Sequence, residues 1–282
     1  MGELKLAVID VKPGAAMESQ SGLQMLRPRI YGAYAESQSR RVAAIVMHPA
    51  SNFMGHYLIQ PLAERGICCM GLNSRYAGSD AVLLMERVLQ DLGAGVKHLR
   101  GLGYQRIVLI GNSGGAALAS FYQAQAEHLT VETMVDGDPA YLSRDDLPPI
   151  DGIALCAAHE GRASLFVEWL DPSVVDEEDA QAADPALDMY NTAHGPPYSA
   201  QFLERFRAGQ YARRERIETW VWSSLRQLRA TPGAPRDQAF VVHRTHADPR
   251  CVDLALDPND RAPGSVWGDA RAVNYAANAM GR

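Results

Sequence analysis

The 282-residue sequence lacks any apolar run near the ~20 residues that a membrane-spanning helix needs. Its first residues, MGELKLAVIDVKPG, lack a charged segment followed by a long apolar one, and position 6 lacks the Ser or Thr of a myristoylation signal. Basic charge is not in excess either, since the net charge is −6. These absences predict a cytoplasmic protein that binds neither nucleic acid nor a membrane.

Cysteine is scarce, and no pair has the C-x-x-C spacing of a metal or redox site. The four cysteines are Cys68, Cys69, Cys156 and Cys251. Three of them lie in apolar, strand-like runs, where a reduced thiol packs as a small hydrophobic side chain. We therefore expect no disulfide, no metal and no cofactor.

Residues 40–160 alternate between short apolar runs and amphipathic segments. The apolar runs that predict buried strands are 41–48, 67–73, 106–111 and 151–158, and two further strands are predicted at 4–11 and 30–37. Helices are predicted between them, one long helix being capped at its start by Ser79 and another following residue 113. Strands that alternate with helices favour an α/β fold, a three-layer sandwich with a mostly parallel sheet.

The alternation of strands and helices stops after residue 159. We therefore predict a core in residues 1–159. Residues 160–282 are predicted to form a mainly helical insertion or lid and a C-terminal segment. A helix from Ser199 to about Arg229 has one aromatic side and one arginine-rich side, which we interpret as a solvated outer face. The aromatic residues of this region are best explained by packing of the lid onto the core, and they also suggest an apolar or aromatic acyl group as ligand. They are Trp169, Tyr190, Phe202, Phe206, Trp220 and Trp222.

The pentapeptide GNSGG, residues 111–115, lies between a predicted strand and a predicted helix. This setting is typical of a nucleophile elbow, in which a tight turn raises the serine above the edge of the sheet. Gly111 and Gly115 flank Ser113 at the two positions where the turn leaves no room for a side chain. The N-terminus of the following helix would then stabilise an oxyanion.

Other interpretations of GNSGG are less well supported. Some trypsin-like proteases contain the same letters, but between β-strands and after a histidine segment that is absent here. A phosphate-binding loop would need a second glycine in place of Ser113, or a Lys after the glycines. A purely structural glycine turn remains an alternative.

With the strands and the elbow together, residues 30–160 resemble the α/β-hydrolase superfamily, in particular its serine esterases. The resemblance implies that Ser113 is the nucleophile and that the N–H groups of Gly114 and Ala50 form the oxyanion hole. Ala50 follows the strand 41–48 in the segment His48-Pro49-Ala50, where Pro49 replaces the usual glycine. His48 is more readily interpreted as a residue that shapes this loop than as a catalyst.

The base that would activate Ser113 is not evident. The resemblance implies the order Ser, then Asp or Glu, then His, but His246 is the last histidine of the chain. Asp248 is a candidate acid, and His159, His243 and His246 are candidate bases. We favour the alternative in which the last two strands of the sheet, with the acid and the base, are missing from this chain.

These observations favour a serine hydrolase that cleaves an ester or related acyl bond of a small-molecule substrate through an acyl-enzyme on Ser113. A non-catalytic or truncated hydrolase-like protein and an acyltransferase are the alternatives. The sequence leaves the oligomeric state open.

Overall fold

The computed structural model describes residues 3–13, 28–78, 83–179, 181–235, 238, 240–245 and 247–256. The chain divides into two compact units, Met1–Gly161 and Arg162–Arg282, which we call the sheet unit and the helical unit. The sequence predicts this boundary after residue 159. Ser79 and His246, to which the sequence assigned a helix cap and a candidate base, lie outside the described residues.

The sheet unit contains a six-stranded, mostly parallel sheet, which confirms the predicted α/β class. Its strands are β1 (Leu4–Asp10), β2 (Arg29–Ala35), β3 (Val42–His48), β4 (Cys68–Asn73), β5 (Arg106–Asn112) and β6 (Gly152–Cys156). The order is β1-β2-β4-β3-β5-β6, with β2 antiparallel to both its neighbours and the pairs β4–β3, β3–β5 and β5–β6 parallel. The carboxyl ends of β3, β5 and β6 therefore meet at one edge.

Three helices follow the central strands of this sheet: α1 (Ile59–Glu64), α2 (Met85–Gly101) and α3 (Gly114–Glu127). Helix α2 begins later than the pattern after Ser79 predicts, with Leu84 as its N-cap residue. Its Val88, Leu92 and Val96 are buried in the main core together with Ile45 and Leu109 of β3 and β5. Burial of this apolar stripe holds α2 on the sheet.

One glycine shows how closely the loop after β3 lies on the sheet. A Cβ atom at Gly71, in β4, would come 2.0 Å from the carbonyl oxygen of Phe53, a distance that no real Cβ atom tolerates. Gly71 therefore lets the backbone of the segment 49–58 rest directly on β4.

The helical unit contains α4 (Arg162–Trp169) and the 31-residue α5 (Ala200–Ala230), as well as short 3-10 turns. The hydroxyl of Ser199 accepts the N–H of Phe202 and caps α5, a helix that the sequence predicts from Ser199 to about Arg229. Phe202 and Phe206 are buried in a small aromatic core. Arg213 is also fully buried, which corrects the interpretation of the arginine side of α5 as wholly solvated.

The cysteines divide into two kinds. Cys68 and Cys69 are buried in β4, and burial raises the pKa of the Cys69 thiol to about 12. Cys156, at the end of β6, is exposed, so the prediction that the cysteines pack as small hydrophobic side chains does not hold for it. Among the described residues no helix has both the length and the apolar character needed to span a membrane.

Candidate active site

Ser113 occupies the turn between β5 and α3 in a backbone conformation that is rare for a residue with a side chain. Its φ is 54° and its ψ is −122°. Such a conformation costs on the order of 1–3 kcal/mol and persists only where the surroundings enforce it. Here the Ser113 N–H donates to the carbonyl of Cys156 at 2.9 Å, and the Ser113 carbonyl accepts the N–H of Ala116 at 2.9 Å.

The glycines on either side of the turn are required by backbone packing. A Cβ atom at Gly111 would lie 2.3 Å from the Gly115 carbonyl oxygen, and one at Gly115 would lie 2.0 Å from the Met47 carbonyl oxygen. The start of α3 is therefore pressed against both β5 and β3. As the first residue of α3, Gly114 has an N–H group that no carbonyl of its own helix can accept.

His48, the last residue of β3, lies next to this helix start. Its Nε2 atom is 3.0 Å from the position that a Cβ atom of Gly114 would take. Its Nδ1 atom accepts the N–H groups of Ala50 at 3.2 Å and of Ser51 at 3.1 Å. An Nδ1 atom that accepts two hydrogen bonds carries no proton, so the hydrogen of the neutral ring is on Nε2.

The loop after β3 is tied to the end of β4 by polar side chains that the sequence did not single out. The Asn73 amide accepts the N–H of Phe53 at 2.7 Å and donates to Asn52 at 3.0 Å, and the Ser74 hydroxyl donates to the Pro49 carbonyl. The Phe53 ring stacks on His48, with 5.9 Å between ring centroids. The loop therefore fixes His48 from two sides. In the sequence, the polar residues Asn73 and Ser74 directly after an apolar strand are the feature from which this arrangement could have been predicted.

His159 follows β6 and approaches the same point from the other side. Its Nε2 atom is 3.7 Å from the Cβ position of Gly114. Its Nδ1 atom accepts the N–H of Gly161 at 3.2 Å, so this ring also carries its hydrogen on Nε2 in the described geometry. The sheet edge thus brings together Ser113, Gly114, His48 and His159, while the Ala50 N–H is directed at His48.

Comparisons with known proteins support no family by sequence. No protein-family model matches the chain, and no curated protein matches it. Solved structures with a similar course include a provisionally assigned hydrolase from Agrobacterium vitis (12% identity, TM-score 0.39, 55% of this chain and 53% of that one). An esterase from Pyrococcus furiosus shares 22% identity with a TM-score of 0.34, over 45% of this chain and 46% of that one.

A dienelactone hydrolase from Anabaena variabilis shares 14% identity with a TM-score of 0.31, over 44% of this chain and 58% of that one. The matched regions span about half the length of these proteins. The molecule's own geometry shows an α/β fold, with a serine on a strained strand-to-helix turn at the carboxyl edge of a mostly parallel sheet.

The remaining candidates lie outside the sheet unit. His243 and Asp248 belong to the helical unit. Asp248 is buried, caps a 3-10 turn by accepting the N–H of Arg250, and forms an ion pair with the Arg250 guanidinium. Within the described ranges, no cluster of three or more His, Cys, Asp or Glu side chains is arranged to hold a metal ion.

Proposed function

We propose that the protein is a serine hydrolase that cleaves an ester or related acyl bond, with Ser113 as the nucleophile. The observation that carries this proposal is the left-handed backbone of Ser113 at the elbow. A strained conformation of this kind is concentrated at functional sites, because it presents a side chain that an unstrained turn would hide.

In the proposed reaction, the Ser113 hydroxyl oxygen bonds to the substrate's carbonyl carbon while a base takes the hydroxyl proton. The carbonyl oxygen becomes an oxyanion, which the Gly114 N–H and the positive end of the α3 dipole stabilise. As this intermediate collapses, the bond to the leaving oxygen breaks and the protonated base gives that oxygen its proton, so an alcohol leaves and an acyl-enzyme remains. Attack by water then releases the acid, and attack by an alcohol or amine would make the protein a transferase.

The second oxyanion donor in this proposal is the Nε2–H group of His48. Ala50, the donor implied by the family resemblance, already donates its N–H to His48. That same bond leaves the His48 hydrogen on Nε2, the atom nearest to Gly114. Ala50 can take the role only if the His48 ring turns away from the loop.

His159 is the better of the two neighbouring histidines as a base. A general base must present a lone pair, so either ring would have to move its hydrogen to Nδ1. That change breaks one hydrogen bond at His159 but two at His48. Since each such bond contributes about 0.5–1.5 kcal/mol, His159 changes tautomer more easily.

A second candidate function is non-catalytic binding of an acyl anion at the same place. It is favoured by the described tautomers, because His48 and His159 both present an N–H donor and neither presents a lone pair at Nε2. A carboxylate at the start of α3 would be held by these donors without turnover.

Hydrolysis of p-nitrophenyl acetate tests the two functions. We expect Ser113→Ala to reduce turnover to the uncatalysed rate, and Ser120→Ala, on the same helix and exposed, to leave it unchanged. His159→Gln should lower kcat by about 10²–10⁴-fold, as loss of a general base does. If the folded wild-type protein has no turnover but binds acetate in a Ser113-independent manner, the binding function is correct and the hydrolase proposal is wrong.

A further inference from the structure

The helical unit contains a cavity of about 420 Å³ that the proposed hydrolase chemistry does not use. It is bounded by the segment 175–178, by one side of α5 and by the segment 240–243. This volume is within the range of small-molecule sites. We infer that the cavity binds a small organic cation, an ammonium group that carries an apolar or aromatic substituent.

The apolar part of the cavity is formed by Ile217 and Trp220 of α5 together with Val175, Phe240 and Val241. The Trp220 and Phe240 rings are 5.0 Å apart and inclined by 56°, so they form an aromatic corner. Trp220 remains 41% exposed, and Phe240 47%. Two inclined aromatic faces that are open to solvent suit an ammonium group, which is attracted to the face of an aromatic ring.

The charged part of the cavity has more carboxylates than cations. Asp176, Glu177, Glu178 and Arg216 line it, together with the imidazole of His243. Glu177 is already neutralised, since Arg213 contacts its two oxygens at 2.9 and 2.7 Å and Arg216 lies 3.6 Å away. Arg216 also donates to the Val174 carbonyl at 2.7 Å, which holds it in this position.

Asp176 and Glu178 have no cationic partner in the part of the chain that the structure describes. One oxygen of Asp176 accepts the N–H of Glu178 at 2.9 Å, and the carboxylates are otherwise exposed. Two uncompensated negative charges beside an aromatic corner complement a cation and repel an anion. The apolar walls add the requirement for an apolar substituent.

Isothermal titration calorimetry with benzyltrimethylammonium tests this inference, and phenylmethanesulfonate is the anionic control with the same ring. We expect saturable binding of the cation and none of the sulfonate. Trp220→Leu should weaken binding by about 3–30-fold, as expected for loss of a cation–π contact. Trp222→Leu, on the same helix but outside the cavity, is the matched control and should leave the affinity unchanged.

The charge contribution is tested by the double variant Asp176→Asn/Glu178→Gln, which should weaken binding by about 5–10-fold, an effect that declines with added salt. Ser113→Ala should bind the cation as the wild type does, so failure of the hydrolase proposal and failure of this one are distinguishable. The inference is overturned if no saturation occurs up to about 10 mM. It is also overturned if the sulfonate binds equally well, or if Trp222→Leu has the same effect as Trp220→Leu.

Discussion

The sheet unit and the helical unit are stabilised in different ways. The main core of the sheet unit is a continuous cluster of apolar side chains from five strands and two helices, including Ile45, Leu92 and Leu109. The helical unit has a small aromatic core, and beside it fully buried polar residues: Asp171, Ser173, Gln210 and Arg213. The sheet unit also contains a buried ion pair, in which the Arg75 guanidinium contacts the Asp91 carboxylate at 2.7 Å. The units therefore differ in the extent of the apolar core, which is large in the sheet unit and small in the helical unit.

The centre of the polar network is Arg213. Its guanidinium contacts Glu177 through two hydrogen bonds and donates to the carbonyls of Asp171 and His243 at 2.9 and 2.8 Å. Asp171 in turn forms an ion pair with Arg244 at 3.0 Å. Three segments that are distant in sequence, 171–177, α5 and 243–244, are joined in this way, because an arginine has five donors to distribute.

Among the variants that test this difference between the two units, we expect Arg213→Met to have the largest effect. Removal of the buried guanidinium leaves Glu177 and two carbonyls without their donor, and we expect a loss of about 3–5 kcal/mol in the free energy of unfolding. Denaturant unfolding followed by tryptophan emission measures it, since Trp169, Trp220 and Trp222 belong to the helical unit.

Arg214→Met is the control for this change. Arg214 is the neighbouring arginine, with a side chain 38% exposed and ion pairs of 3.7 Å. Its loss should change the free energy of unfolding by less than about 1 kcal/mol. Equal effects of the two variants would show that the buried network does not stabilise the helical unit.

In the sheet unit, the turn at Ser113 depends on close backbone packing, and Gly115→Ala tests it. The added Cβ atom would lie 2.0 Å from the Met47 carbonyl oxygen, so α3 must move away from β3. We expect a loss of about 1–3 kcal/mol, measured by far-UV circular dichroism during denaturation.

Gly101→Ala, at the end of α2, is the matched glycine, since a Cβ atom there would meet nothing within 4 Å. It should be neutral or should stabilise by up to about 1 kcal/mol. If Gly115→Ala is as well tolerated as Gly101→Ala, the elbow is not packed as described.

Asp146 is a buried carboxylate of the sheet unit and gives the smallest expected effect. Burial alone would raise its pKa, but hydrogen bonds from Lys12 and Ser143 outweigh burial and lower the pKa below the ordinary value of 3.8. Its stabilisation is therefore complete above that value and is lost as the pH falls through the lower pKa of the folded state.

Asp146→Asn should reduce the free energy of unfolding at neutral pH by about 1 kcal/mol and should flatten its decline in acid. Unfolding curves measured between neutral pH and the acid range test this. An unchanged acid slope in the variant would mean that Asp146 does not contribute to the pH dependence.

The difference between the units also explains how much the sequence could predict. Buried parallel strands are continuous apolar runs, so all six strands were predicted to within a few residues. The start of α2 was wrong, because the pattern after Ser79 resembles a helix before the structure begins one at Met85. Arg213 was misassigned because its charge was given more weight than its position, three residues after Gln210 on the buried side of α5.

The candidate site, too, was predicted only in part. The strand, the glycines and the small residues after them predicted a tight strand-to-helix turn at Ser113, since each is a local requirement of such a turn. The orientation of His48 could not be predicted, because it depends on the backbone N–H groups of Ala50 and Ser51 in a folded loop. The closeness of His159 to Gly114 likewise depends on the pairing of β6 with β5.

The central claim is that Ser113 is an activated nucleophile, and covalent labelling with a fluorophosphonate tests it most directly. We predict one adduct per folded chain, located on Ser113 by mass spectrometry of the digested protein and absent from Ser113→Ala. A folded protein that remains unlabelled, or an adduct that persists in Ser113→Ala, would contradict the claim.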